Sequence, residues 1–115
     1  MTINEFNKKY YFHDSILDKI EYEHKKLKMY CTFCDFMQKA HNENDYTNSD
    51  IIVVFNNASY EITDNFHVEA SEFIEQELRN NTISFFMGKD FNNNYGYLKI
   101  QAESVDVIKI RSYNL

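Results

Sequence analysis

The chain has no proline, no tryptophan, only two glycines and two cysteines, and fewer cations than anions. Gly88 and Gly96 stand apart, so no glycine-rich loop is available to cradle a phosphate on backbone N–H groups. Twelve Lys and Arg against eighteen Asp and Glu give a formal charge of −6 and an isoelectric point near 5.1. That balance repels phosphate backbones and anionic lipid, so neither nucleic acid nor a membrane surface is an expected partner, and a basic protein is. The longest uninterrupted apolar run, Ile51 to Phe55, is strand-length and far too short for a membrane span. The start "MTINEFNKKYY" lacks a cationic stretch followed by an apolar core and a cleavage site, which points to the cytoplasm.

The two cysteines spell C-x-x-C at Cys31 and Cys34, but within an alternating strand pattern. Positions three apart on a strand face opposite ways and cannot share one ion, so both are expected to be structural thiols, not a metal or redox pair. His13, His24, His41 and His67 show no metal-ligand spacing. The loop "NENDYTNSD", with Asp45 and Asp50, lacks the glycine and terminal glutamate of a calcium hand. No metal and no cofactor are expected.

What the chain does have is apolar bulk. Hydrophobic residues make up 43% and aromatic ones 17%, with 10 Phe and 9 Tyr; a sizeable core can be buried even at a mean hydropathy of −0.59. A length of 115 residues with no linker or change of composition indicates one domain, 1–115.

"TINE" at Thr2 to Glu5 matches a capping box and predicts a short helix through about Lys9. From Ile16 the apolar period becomes two, with Ile16, Ile20 and Tyr22 on one face. Leu27, Met29, Cys31 and Phe33 follow in a second alternation, and the two runs read as a hairpin without the usual Asn-Gly turn. The segment 38–50 reads as a loop, "DIIVVF" as a strand covered on both faces, and "YEI" as a short return strand. Over 67–81, Ala70, Phe73, Ile74, Glu77 and Leu78 fall at three- and four-residue spacings, predicting a helix capped by Asp64 or Asn65, with Glu69, Glu72, Glu75 and Glu77 on its outer face. "TISFFM" and "YLKIQA" return to strand. In "SVDVIKIRSY", apolar residues in both phases predict either a bulge or burial on two faces. The expected class is α+β, mainly β: an antiparallel sheet, or a partly open barrel or sandwich, of about six or seven strands with one helix packed on it.

His13, Asp14 and Ser15 are the residues most suggestive of catalysis, yet consecutive extended residues point to opposite faces and cannot converge as a nucleophile, its base and an orienting acid. Asp and Ser also organise turns, and a turn leading into the first strand is the expected role. "YYFHDSILDKI", followed by "LKMYCTF" and "IIVVFNNASYEI", resembles small bacterial proteins with an N-terminal Phe-His-Asp element, including immunity-protein-like members of polymorphic toxin systems. The resemblance implies a β-rich domain, with Phe12, His13 and Asp14 as signature positions and a toxin as partner. This chain differs in carrying Ser15-Ile16 after the element and no tryptophan.

Tyrosines outnumber what a core requires, and Tyr95 and Tyr97 flank Gly96 beside an Asn-rich stretch, a suitable contact edge. The expected function is therefore a non-enzymatic cytoplasmic protein-binding domain, immunity-like in its most concrete form, that uses Glu69, Glu72, Glu75, Tyr95 and Tyr97. Two alternatives are a small hydrolase or lyase with His13 and Asp14 as acid/base groups, and a homo-oligomer joined through a sheet edge.

Overall fold

Thr2 opens the fold as its sequence predicts. Its hydroxyl accepts from the Glu5 N–H and the Glu5 carboxylate accepts from the Thr2 N–H, both at 3.1 Å, and helix α1 runs from Ile3 to Lys9. Ile3 and Phe6 on its inner side are buried. The computed structural model describes residues 1–34, 47–89 and 94–114. Within them follow β1 (Ile16–Glu23), β2 (Lys26–Cys34), β3 (Thr47–Asn56), β4 (Ser59–Ile62), β5 (Ser71–Arg79), β6 (Thr82–Lys89), β7 (Asn94–Gln101) and β8 (Ser104–Asn114). They form one open antiparallel sheet in the order β4-β7-β6-β5-β1-β2-β3-β8.

The sheet has eight strands, not six or seven, because the segment expected to be a helix over 67–81 is strand β5. Ala70 has φ 64, outside the right-handed helical region, and Asn65, an expected helix cap, has φ 64 in the preceding loop. The helix-like spacing arises from a bulge. Phe73 pairs with Met87 and Glu75 with Phe86, leaving Ile74 as an extra residue. A bulge shifts the alternation by one, so inward positions run Ser71, Phe73, then Gln76 and Leu78, which imitates a period of 3.6. "RNNT" then turns through Asn80 and Asn81, at φ 50 and 61, into β6. This is the backbone that a two-residue hairpin loop requires. His24 and Lys25, at φ 51 and 59, do the same between β1 and β2.

β3 is flanked on both edges, and Ile51, Val53, Val54 and Phe55 are buried, as the "DIIVVF" run implies. It begins at Thr47, so the expected loop 38–50 is shorter at its end; His41 and Asp45 lie outside the described residues. In β8 a register shift opposite Asp50/Ile51 makes Ile110 a bulge. Ile108 and Ile110 are 49% and 58% exposed, so the strand is not buried on two faces.

The junction between β5 and β1 is narrow. Only Ile16↔Glu72 and Leu17↔Ser71 pair, after which the strands diverge. The apolar faces of the two four-stranded halves, together with α1, enclose a single core. Phe12 sits where they meet: its ring is 4.9 Å from Phe33 on one half, 5.0 Å from Phe73 and 5.6 Å from Phe85 on the other, and 5.7 Å from Phe6 of α1. Tyr22 of β1 ties the β4 edge back by donating to the Ala58 carbonyl at 2.6 Å, its ring 4.9 Å from that of Tyr60.

Candidate functional site

Cross-strand register determines which side chains share the outer face of β5, β6 and β7. Ile83, Phe85, Met87, Leu98 and Ile100 point into the core, so the intervening residues face solvent. Gly88 pairs with Glu72 on one side and Tyr95 on the other; Phe86 pairs with Glu75 and Tyr97; Ser84 pairs with Glu77 and Lys99. Glu72 and Glu75 are therefore in the same two cross-strand rows as Tyr95 and Tyr97, although they are more than twenty residues away in sequence and were expected on a helix.

Phe86 is the centre of an aromatic row. Its ring stacks on Tyr95 at 5.9 Å with 16° between planes and meets Tyr97 at 5.1 Å and 48°. Tyr95 and Tyr97 are 40% and 46% exposed. The backbone under Tyr97 is fixed by Thr63, whose N–H donates to the Tyr97 carbonyl at 3.1 Å while its Oγ1 accepts from the Tyr97 N–H at 2.9 Å. Lys99 Nζ lies 5.6 Å from the centre of the Tyr97 ring, a cation held against an aromatic face. Beside it a shallow groove of about 200 Å³ is lined by Glu61, Thr63, Asp64, Tyr97 and Lys99. The face thus joins an apolar aromatic row to a carboxylate fringe of Glu72, Glu75 and Glu77. Phe86 is half-buried between the two exposed tyrosines.

Glu69 does not belong to this face. Its Oε2 accepts from the Ile20 N–H at 3.0 Å, capping the edge of β1 where pairing with β5 has ended. Phe86, which links the two tyrosines, was missed by sequence reasoning, because in "TISFFM" the adjacent Phe85 supplies the inward phase. The signal was the alternation itself, which sends Phe86 outward.

His13, Asp14 and Ser15 form a turn docked on the β5 bulge. The Ser15 N–H donates to the Phe12 carbonyl at 2.8 Å, and Asp14 has φ 67, the backbone pattern of a type II turn. His13 Nδ1 is 2.6 Å from the carbonyl of the bulged Ile74 and donates to it, and its Nε2 is 3.4 Å from Asp14 Oδ1. The Asp14 N–H donates to the Phe73 carbonyl at 3.0 Å and the Phe73 N–H to the Ser15 carbonyl at 2.8 Å. Ser15 is buried, its Oγ accepting from the Cys34 N–H at 2.8 Å. His13 and Asp14 thus meet beside the β5 bulge, while Ser15 turns away under β2, so the three side chains do not converge on one point.

Gln76 completes the clamp. Its Oε1 accepts from the Phe12 N–H at 2.8 Å, and its Nε2 donates to the Tyr10 carbonyl at 2.8 Å and to Asn7 Oδ1 at 3.0 Å. Cys31 lies in the core, Cys34 lies toward the other face, and no disulfide joins them. Burial, with the charge of Asp18 adding to it, pushes the Cys31 thiol well above its usual pKa. Among the described residues no group of three or more His, Cys, Asp or Glu is placed to hold a metal ion, and no helix is long and apolar enough to cross a membrane. Comparison of the chain with protein-family models, curated proteins and solved structures finds no match.

Proposed function

We infer that the chain is a non-enzymatic cytoplasmic binding protein that docks a basic protein partner on the outer face of β5, β6 and β7. The observation that carries this reading is the row of exposed Tyr95 and Tyr97 with half-buried Phe86 between them, lying against Glu72 and Glu75 in register. Aromatic side chains supply contact area at low entropic cost, and the fringe of carboxylates attracts Lys and Arg on a partner. The Lys99–Tyr97 contact illustrates how a cation meets these rings. The resemblance of the Phe-His-Asp region makes neutralisation of a basic toxin the most concrete form of this function.

The test is capture from cells that express the protein naturally, followed by calorimetry with the purified partner. Tyr97→Ala and Glu75→Lys are each expected to weaken binding by about tenfold or more, the scale of an interface hot spot. His13→Ala leaves the affinity intact, and added salt slows association because charge steers the encounter. A partner whose affinity ignores both face substitutions overturns the assignment. For the immunity form, the captured protein is toxic alone and harmless when co-expressed.

A further inference from the structure

The groove beside Tyr97 narrows the kind of partner that the aromatic face accepts. Lys99 pairs with Glu61 of β4 on one side and with Ser84 of β6 on the other, and because Leu98 and Ile100 turn into the core it faces solvent. Side chains directly opposite each other on antiparallel strands are close enough to form an ion pair. None forms here. The Lys99 ammonium lies against the Tyr97 ring instead, 5.6 Å from its centre, and among the described residues the Glu61 carboxylate has no hydrogen-bond or ion-pair partner.

Asp64 lines the same groove. It sits in the turn that the Phe66 N–H closes by donating to the Thr63 carbonyl at 3.1 Å, and its carboxylate likewise has no partner among the described residues. What identifies the ligand is the ring, not the acids: Tyr97 is exposed and already holds a cation, and the two unmatched carboxylates border it. The groove, at about 200 Å³, is smaller than the roughly 300 Å³ at which small-molecule sites usually begin, and suits one long side chain.

We propose that this groove takes an arginine side chain of the basic partner, with Lys99 as its built-in competitor; for the source of that side chain the proposal rests on the docking face inferred above. A planar guanidinium stacks on Tyr97 while directing separate N–H donors to Glu61 and Asp64, whereas an ammonium meets the site as a point charge. Arginine is therefore preferred to lysine. Lys99 also borders a second groove, of about 360 Å³, with Ser59, Thr82 and Gln101, so its ammonium has room to leave the ring without any change in β7. While it stays, it weakens every cation that must replace it.

The test is titration of the isotope-labelled full chain with N-acetyl-arginine amide, N-acetyl-lysine amide and the neutral N-acetyl-citrulline amide, followed by NMR. Arginine amide is expected to shift the Tyr97 ring and the Thr63 and Asp64 amide signals with a Kd of about 1 mM, lysine amide to bind more weakly, and citrulline amide not to bind. Lys99→Met keeps the stem, removes the charge and should tighten arginine amide by about two- to fivefold; Glu61→Gln and Asp64→Asn, both isosteric and exposed, should each weaken it on the same scale. Equal responses to the three amides, a Lys99→Met variant that binds no tighter, or indifference to both carboxylate substitutions overturns the proposal. A captured partner that needs Tyr97 and Glu75 but ignores Glu61→Gln and Asp64→Asn also overturns it and leaves the docking face standing. Arginine amide held in the groove beside a partner indifferent to Tyr97→Ala and Glu75→Lys overturns the docking face and supports the groove.

Discussion

The ring of Tyr95 covers Gly88 so closely that a Cβ on the glycine would stand 2.0 Å from ring carbon Cδ1. An aromatic side chain laid over a cross-strand glycine compensates for the missing side chain of a strand position that is otherwise weak. Gly88→Ala is therefore expected to cost about 1–3 kcal/mol, the usual penalty for overpacking. Its backbone has no positive φ, so the ring is the obstacle. With Tyr95→Ala in the background, the same substitution should fall within about 0.5 kcal/mol of neutral. Urea denaturation of the four proteins in the cycle measures the coupling, and independent effects would contradict the contact.

Gln76 satisfies one backbone N–H, one carbonyl and one side-chain oxygen of the N-terminal segment. Gln76→Leu leaves those groups without their partner, at an expected cost of about 2–4 kcal/mol. Gln76→Glu keeps the acceptor but turns a carboxylate toward two oxygens. Its protonated form can donate to one of them, so this variant should recover part of its stability on acidification, whereas the leucine variant should not. Denaturation midpoints at neutral and mildly acidic pH distinguish the two.

Asp14 holds a left-handed backbone conformation at φ 67. Asp14→Val should cost about 1–2 kcal/mol, because a β-branched side chain clashes there. Asp14→Gly should be nearly neutral, relief of strain being offset by greater freedom of the unfolded chain. Equal losses in the two variants would indicate that the carboxylate, not the backbone, is what matters.

Cys31 gives the molecule an alkaline liability. Its thiol pKa is raised in the folded state, so above the ordinary thiol value the unfolded chain has released a proton that the folded one retains. Stability attributable to this group is intact below the unfolded pKa and declines by up to about 1.4 kcal/mol per pH unit above it, until the folded pKa is reached. Comparison of wild type with Cys31→Ala between neutral and alkaline pH should show the difference narrowing as pH rises. Thiol labelling of the native protein should modify Cys34 and spare Cys31.

Much of this architecture is legible in the residues themselves. The Thr2–Glu5 box, the alternation in β2 and β6, and the turn at Phe12–Ser15 act locally, and local rules read them correctly. β5 was misread because a bulge is decided by what docks against it: His13 and Asp14 occupy the carbonyls of Ile74 and Phe73, and no feature within the segment announces them. Its Asn80–Asn81 ending does carry a hairpin signal. The aromatic face is non-local in the same way. Tyr95 and Tyr97 are suggestive alone, but their alignment with Glu72 and Glu75 depends on strand order, and Glu69 drops out because the unpaired edge of β1 needs it.

The two-residue seam between β1 and β5 divides the sheet into panels joined by a narrow ladder and by side-chain bonds from His13, Gln76 and Glu69. Amide protons along this seam have fewer neighbours to open in concert with, so deuterium should enter there before it reaches the centres of β2 or β6.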